Sequence, residues 1–290
     1  MSSSLPTALI TGASTGIGFV SAERLARLGY RVLAGVRTAA DASRVEAAGD
    51  GRIRALQLDV TRPEEVAAAR EAVAAEVGDR GLDILVNNAG IAAAGPLEFL
   101  PLEVFRRVQE VNVVGLLGVT QAFLPMIRTA RGRIINIGSI SGLVANPFVG
   151  AYAASKHALE GLTDSLRVEL APWGIEVILI EPGVIQTPIW SKSEADAMAM
   201  QAEFPPEAVH LYGRSMEAMR RILLPAVARA SPAEVVADAV QDAALSPEPR
   251  TRYVVGKQAR LRVLLGTLLP DRMRDRMMLA VLRRFGERRP

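Results

Sequence analysis

The 290-residue chain contains no cysteine, so neither a disulfide nor a thiolate metal site can contribute to its fold or chemistry. Its two histidines, His157 and His210, are too few and too far apart in sequence to suggest a metal cluster, and no metal is expected. No run reaches the about 18 uninterrupted apolar residues that span a bilayer. The opening MSSSLPTALITG lacks the charged segment and long apolar run of a secretory signal. No charge run, Gly/Ser linker or internal repeat divides the chain. A cytoplasmic protein is the default expectation.

What is present is a globular composition, 50% hydrophobic and 22% charged, sufficient for a substantial core. Apolar runs at 7–11, 32–36, 53–58, 82–86, 133–137 and 175–180 alternate with helical patterns at 17–28, 63–77, 101–128 and 151–170. The runs are continuous rather than alternating, as strands buried on both faces require. Helices between them imply right-handed crossovers and an open parallel sheet. The expected fold class is α/β: one doubly wound, Rossmann-like domain over residues 1–256. From 183 to 230 the rhythm stops and no strand is expected. That segment follows the C-terminal end of a strand, where open α/β sheets bind ligands, and it reads as a lid or as an excursion without a ligand role.

Two motifs carry chemistry. The turn after the first strand, Thr11-Gly12-Ala13-Ser14-Thr15-Gly16-Ile17-Gly18, permits tight backbone and opens a helix whose free N–H groups and partial positive charge suit a phosphate. Its spacing is G-x3-G-x-G rather than G-x-G-x-x-G. In AYAASKHAL, Tyr152 and Lys156 stand four apart in an alanine-rich helix and so share a face. An ammonium beside a phenol favours the phenolate and brings a poor base toward the working range. Each motif alone is also compatible with a merely structural turn or an amphipathic helix. His157, about 100° around the helix from Lys156, reads as structural.

Taken together and in order, these motifs and those between them resemble the short-chain dehydrogenase/reductase family over roughly residues 5 to 255. Leu58-Asp59-Val60, Asn87-Asn88-Ala89-Gly90, Val111-Asn112-Val113, Ile137-Gly138-Ser139 and Pro182-Gly183-Val184 complete the set. The resemblance implies catalysis by Ser139, Tyr152, Lys156 and Asn112. Ser139 would bind the substrate oxygen, Tyr152 would exchange the proton, Lys156 would also hold the nicotinamide ribose, and Asn112 would hold a water behind the lysine. It implies a dinucleotide against Gly12, Ser14, Thr15, Gly16, Ile17, Gly18, Asp59, Val60, Asn87, Ala89, Gly90, Pro182 and Gly183. Asp59 would meet the adenine, and Ile185 and Thr187 the nicotinamide carboxamide. The family also tends to form homodimers and homotetramers.

Where NAD-preferring members end the second strand with a carboxylate, this chain has Val36 followed by Arg37. A guanidinium there pairs with a 2′-phosphate, so NADP(H) is expected over NAD(H); the alternative is a solvated Arg37 or one stacked on adenine. By position, Leu143, Phe148, Val149, Pro188 and Trp190 are candidates to line the substrate pocket. All are apolar, and AGVRTAAD, LDVT and EVNVVG look most like the branch with retinol and hydroxysteroid dehydrogenases and their bacterial relatives. The expected substrate is a small lipophilic ketone, aldehyde or alcohol. A 3-oxoacyl thioester reductase and a non-catalytic NADPH-binding sensor or scaffold are the alternatives.

Charge is distributed unevenly. Residues 250–290 hold 12 Lys/Arg against 3 Asp/Glu, whereas the first 249 residues hold 22 against 28. Residues 257–290 read as a basic amphipathic helical extension. Leu261, Leu264, Leu265 and Leu268 recur at helical spacing, as do Met273, Met277, Val281 and Phe285. One reading packs these helices on the body or on a neighbouring subunit. The other rests them peripherally on an anionic membrane. Nucleic-acid binding is not expected, because no recognition motif accompanies the charge.

Overall fold

Apolar runs too short for helices and apolar on both sides can be satisfied only between two helical layers, and that is where the sheet lies. The computed structural model describes residues 5–286; the first four residues of the expected domain and the last four of the expected extension lie outside the described residues. The first half alternates strand and helix: β1 (Thr7–Ile10), α1 (Gly16–Arg27), β2 (Arg31–Val36), α2 (Ala39–Ala47), β3 (Ile53–Gln57), α3 (Pro63–Val77) and β4 (Ile84–Asn87). There follow α4 (Leu102–Gln109), α5 (Leu116–Ala130), β5 (Arg133–Ile137), α6 (Gly150–Leu170) and β6 (Glu176–Pro182). The chain ends with α7 (Ile189–Ala202), α8 (Pro206–Ala228), α9 (Glu234–Leu245), β7 (Arg252–Val255), α10 (Ala259–Leu268) and α11 (Asp271–Gly286).

The seven strands form one parallel sheet in the order β3-β2-β1-β4-β5-β6-β7. The fold class is therefore the doubly wound α/β architecture read from the sequence, with a seventh strand that the sequence reading did not include. Alternate residues of each strand feed opposite layers. Ile10, Val32, Val86 and Ile135 pack toward α1 and α9, whereas Leu9, Leu33, Leu85 and Ile134 pack toward α3 and α5. The strand order reverses between β1 and β4, and ligands of such sheets bind outside the carboxyl ends at that switch point.

Three differences from the expected elements matter. The helix expected over 101–128 is broken by a π-helical turn at Glu110–Gly115. The 183–230 segment has no strand but folds into α7 and α8, and α11 packs back along α8. The helix α2, the helix α9 and the strand β7 were not anticipated. The stretch Leu102–Ala130 is also long and apolar enough to cross a membrane by length and mean hydropathy (1.4), although Arg106, Arg107 and Glu110 interrupt it. In the fold its Val108, Val111, Val119, Phe123 and Ile127 are buried.

Candidate active site

The glycine turn and the β4 end are built into each other. Gly12 (φ +63°) and Gly16 (φ +58°) adopt left-handed backbone that a side chain would strain. A Cβ on Gly12 would stand 2.8 Å from the Ala89 Cα, and one on Gly18 would stand 2.4 Å from the Asn88 Nδ2. Thr11 Oγ1 accepts from the backbone N–H groups of Asn88 and Ala89, both at 3.0 Å. Asn88 Nδ2 in turn donates to the carbonyls of Thr11 and Gly12, again at 3.0 Å. This clamp fixes the turn on which Ser14, Thr15 and the start of α1 stand.

The turn fits an anionic, backbone-bound group. Thr15 occupies the cap position of α1 in an extended conformation and makes no capping bond, and the first turn of α1 carries no acidic residue. The N-terminal N–H groups of Gly16, Ile17 and Gly18 are thus neither capped by a side chain nor screened by a carboxylate. Thr187 and Pro188 close over the turn from the opposite side, since a Cβ on Gly16 would stand 3.1 Å from the Thr187 side chain and 3.6 Å from Pro188 Cδ. Pro188, expected at the substrate wall, lies beside this cradle.

At the other end of the cradle, Arg37 is exposed directly after β2. Its charge, with that of Arg107, helps lower the Asp59 pKa; burial opposes the shift, while the hydroxyl and N–H of Thr61 also drive it. Asp59 Oδ1 accepts both Thr61 groups, at 2.7 and 2.9 Å. A second cation comes from α2. Arg44 donates to the Ser14 carbonyl at 2.7 Å and pairs with Asp41, which accepts from the hydroxyl of Thr38 at 2.8 Å. Arg44 escaped the sequence reading because only the unrecognised α2 turns it back toward the glycine turn. Asn87 turns away from the cradle: its Nδ2 donates to Thr120 Oγ1 and Asn136 Oδ1, both at 2.9 Å, so only its backbone faces the ligand side.

Across the switch point, β5 and α6 bring the other predicted residues together. Ser139 follows β5 and caps a short 3-10 turn, its Oγ accepting the Ser141 N–H at 3.1 Å. It also hydrogen-bonds the Tyr152 phenol, which lowers a phenol pKa that burial raises more strongly. Lys156 is buried; its Nζ donates to the Ile137 carbonyl at 2.8 Å and stands 5.7 Å from the Tyr152 ring centre. Burial pushes the Lys156 ammonium down to about 8, with the charge of Glu160 working against the shift.

The expected direct action of the lysine on the tyrosine is therefore not what dominates here. Both groups are desolvated, and the ammonium is drawn to a strand-end carbonyl rather than to the phenol oxygen. His157 Nδ1–H donates to the Ala153 carbonyl (2.9 Å), within its own helix, as a structural residue would.

Asn112 sits in the π turn, and its side chain is fully engaged. Oδ1 accepts from the Ile91 N–H, and Nδ2 donates to the Ile91 carbonyl and to Ser155 Oγ, all at 2.9 Å. Ser155, which sequence reading passed over, donates onward to the Tyr152 carbonyl at 2.7 Å. Asn112 thus pins the loop after β4 to α6, and its side chain is taken up in doing so.

Leu143 ends the short turn after Ser139, and Phe148 and Val149 lead into α6; all three are half-buried, with Phe148 in left-handed backbone (φ +65°). Phe148 joins Tyr212, Phe99 and Phe204 in an aromatic cluster linking this loop to α8 and to the turn between α7 and α8. Trp190 does not project freely, because its Nε1 donates to the Ile185 carbonyl at 2.6 Å. The aromatic cluster was invisible in sequence because its members are scattered over more than 100 positions.

The family model for short chain dehydrogenase matches residues 6–198. The chain is 34% identical over 285 residues to an NADPH-dependent 3-dehydrocapnine reductase of Ornithobacterium rhinotracheale, covering 97% of this chain and 98% of that one. It is 36% identical over 287 residues to retinol dehydrogenase 5 of Mus musculus, covering 95% and 88%. Among solved structures, a short chain dehydrogenase from Burkholderia cenocepacia in complex with NADP superposes with a TM-score of 0.71 at 29% identity, over 94% of this chain and 97% of that one.

Proposed function

This chain belongs to the short-chain dehydrogenase family, and on that premise we propose that it interconverts a lipophilic ketone or aldehyde and its alcohol with NADP(H). The single observation that carries the reading is the convergence of Ser139, Tyr152 and Lys156 at the carboxyl end of β5 and the first two turns of α6, beside the uncapped glycine turn of the same sheet. The family binds a nicotinamide dinucleotide, and that cofactor supplies the hydride in reduction or takes it in oxidation.

The chain's own residues handle binding and the proton. The Ser139 hydroxyl holds the substrate oxygen next to the phenol, and Tyr152 Oη delivers its proton to that oxygen as negative charge develops there. In oxidation the proton passes the other way. A phenol whose pKa burial raises is suited to being the protonated partner at neutral pH. Lys156, held at the Ile137 carbonyl, presents an ammonium to this site and to the ribose side of the cradle. Asn112 acts by holding the loop and helix in register, with its backbone as the group available to a water. The cradle itself is formed by Gly12, Ser14, Thr15, Gly16, Ile17, Gly18, Asp59, Val60, Asn87, Ala89, Gly90, Arg37, Pro182, Gly183, Ile185 and Thr187.

Preference for NADP(H) over NAD(H) is supported by Arg37 at the end of β2 and by Arg44 beside Ser14, together with the relative named for NADPH dependence. A lipophilic substrate is supported by the apolar Leu143–Phe148–Val149 approach and by the relative named a retinol dehydrogenase. Peripheral contact of α10 with an anionic membrane, from an otherwise cytoplasmic protein, is consistent with its exposed leucines. Tyr152→Phe removes the proton donor while keeping the ring, and is expected to lower kcat about 10²- to 10⁴-fold with cofactor affinity retained. Steady-state reduction of a steroid, a retinoid and an acetoacetyl thioester, with parent and variant side by side, tests the reading. A variant as fast as its parent would remove Tyr152 from the mechanism, and a strong preference for the thioester would replace the substrate class.

A further inference from the structure

One helical turn behind Lys156 lies a partly buried group of charges that the mechanism does not use. Glu160 and Asp164 follow Lys156 at spacings of four and eight, so all three occupy one face of α6. Glu181, near the end of β6, is fully buried. Arg252, the first residue of β7, pairs with Glu160 through Nη1 and with Asp164 through Nη2 at 2.6 Å, and its Nη1 stands 3.7 Å from Glu181 Oε1. One guanidinium therefore faces three carboxyl groups.

The carboxyls of Glu160 and Glu181 both face one guanidinium nitrogen, Nη1 of Arg252, and so lie side by side. Two adjacent carboxyl groups, one of them fully buried, that share one guanidinium with a third do not both ionise, so one of the two keeps a proton. No hydrogen-bond donor reaches Glu160 Oε1 or either oxygen of Glu181 among the described residues. The turn that carries Ser139 seals the group from above, since a Cβ on Gly142 would meet Glu160 Oε1 at 2.9 Å and the Lys156 carbonyl at 2.8 Å.

We propose that Glu160 and Glu181 hold one proton between them, and that the single negative charge they retain is a positioning group that keeps Lys156 in its ammonium form. The remaining charged groups around the pair are His157, Asp164 and Arg167 on α6 and Arg252 on β7; Arg167 pairs with Asp164 at 2.8 Å. Burial, and next the charge of Glu160, pushes Glu181 up to about 8, which keeps the shared proton in place at neutral pH. Burial drives Lys156 toward its neutral form, and Glu160 is the charge that opposes this. The hydrogen-bond acceptor of the buried ammonium is the Ile137 carbonyl, and Glu160 acts on it through space from one turn along the same face of α6.

The inference rests on the reading of Lys156 as part of the proton-handling site, and two substitutions separate the two. Glu160→Gln removes the retained charge, so the basic limb of the kcat/KM pH profile is expected to move about one pH unit lower. Glu181→Gln mimics the protonated partner, so it is expected to leave the profile in place while abolishing an infrared band of a protonated carboxyl present at pH 7. A profile unmoved by Glu160→Gln, or moved equally by both substitutions, overturns the inference. So does absence of the band from the parent protein. These results are distinguishable from failure of the catalytic reading itself, which shows as full activity of Tyr152→Phe, because the infrared band is read without turnover.

Discussion

At the scale of single residues, the distinction between Arg37 and Arg44 bears on the proposed preference for NADP(H). Both are guanidinium groups near the adenosine end of the cradle, but their freedom differs. Arg44 is committed to the Ser14 carbonyl and to Asp41, and so shapes the turn. Arg37 is exposed, with its charge felt at Asp59 but no ion pair of its own among the described residues. A charge-assisted bond from a free guanidinium to a 2′-phosphate contributes about 1.5–3 kcal/mol. Arg37→Ala is therefore expected to raise the KM for NADPH about tenfold or more and to leave that for NADH nearly unchanged; steady-state kinetics with both cofactors measure it. Arg44→Ala is expected to weaken both cofactors, because it loosens a turn common to both. The closeness of Tyr152 and Lys156, the pair proposed to handle the proton, was legible because helical spacing makes them neighbours whatever the rest of the fold does. Glu160 and Glu181 were not, since a carboxylate that pairs across α6 and β6 looks in sequence like any solvated one.

At the scale of elements, strands were legible from continuous apolar runs, with boundaries within one or two residues for most. Elements lacking a strong pattern were not. The helix α7 buries none of its residues, and its fold follows from flanking prolines and from contacts made through neighbours rather than from its own periodicity. The strand β7 is only four residues long and one of its residues is fully buried, too little for a pattern to register. The π turn at Glu110–Gly115 could not be read either, because its cause is tertiary: Asn112 must reach Ile91 and Ser155 at once, while Gly115 lies so close to β3–α3 that a Cβ would stand 2.8 Å from the Val60 carbonyl. This predicts an unequal pair of variants. Asn112→Leu keeps the volume but leaves the Ile91 N–H and carbonyl unpaired, each costing about 1–3 kcal/mol, and also frees Ser155. It is expected to lower both Tm and kcat clearly. Ser155→Ala removes one of these bonds and is expected to have the smaller effect on both. Thermal denaturation and turnover measured on the two proteins check the ranking; equal effects would mean that Asn112 does not act through Ile91.

At the scale of the whole molecule, the C-terminal helices set this chain apart from a bare nucleotide-binding sheet. The helix α10 rests on the β7 end and on the turn after Ser139, burying only Ala259 and Gly266, the latter so close to Val144 that a Cβ would stand 2.1 Å from its side chain. Its other face is apolar and open: Leu261, Leu264 and Leu268 are 55%, 53% and 72% exposed. Arg260 and Arg262 flank them, and Met273 and Met277 of α11 extend the apolar surface. An exposed leucine row with a basic margin is the pattern of a helix lying in a lipid interface, and a substrate dissolved in lipid would then meet the protein on the side of the catalytic turn. Deleting the extension is a poor test, because α11 covers part of α8. Substituting Leu264 and Leu268 by Glu is better, since both project outward and their loss leaves the fold unchanged. The parent is expected to sediment with anionic vesicles at low ionic strength, less with zwitterionic ones, and progressively less as salt screens the arginines. The double variant is expected to remain in the supernatant with its activity on a water-soluble carbonyl intact. Should the parent fail to sediment, the leucine row would instead have to meet protein, and size-exclusion chromatography with light scattering on parent and variant would then show whether that protein is a second copy of this chain.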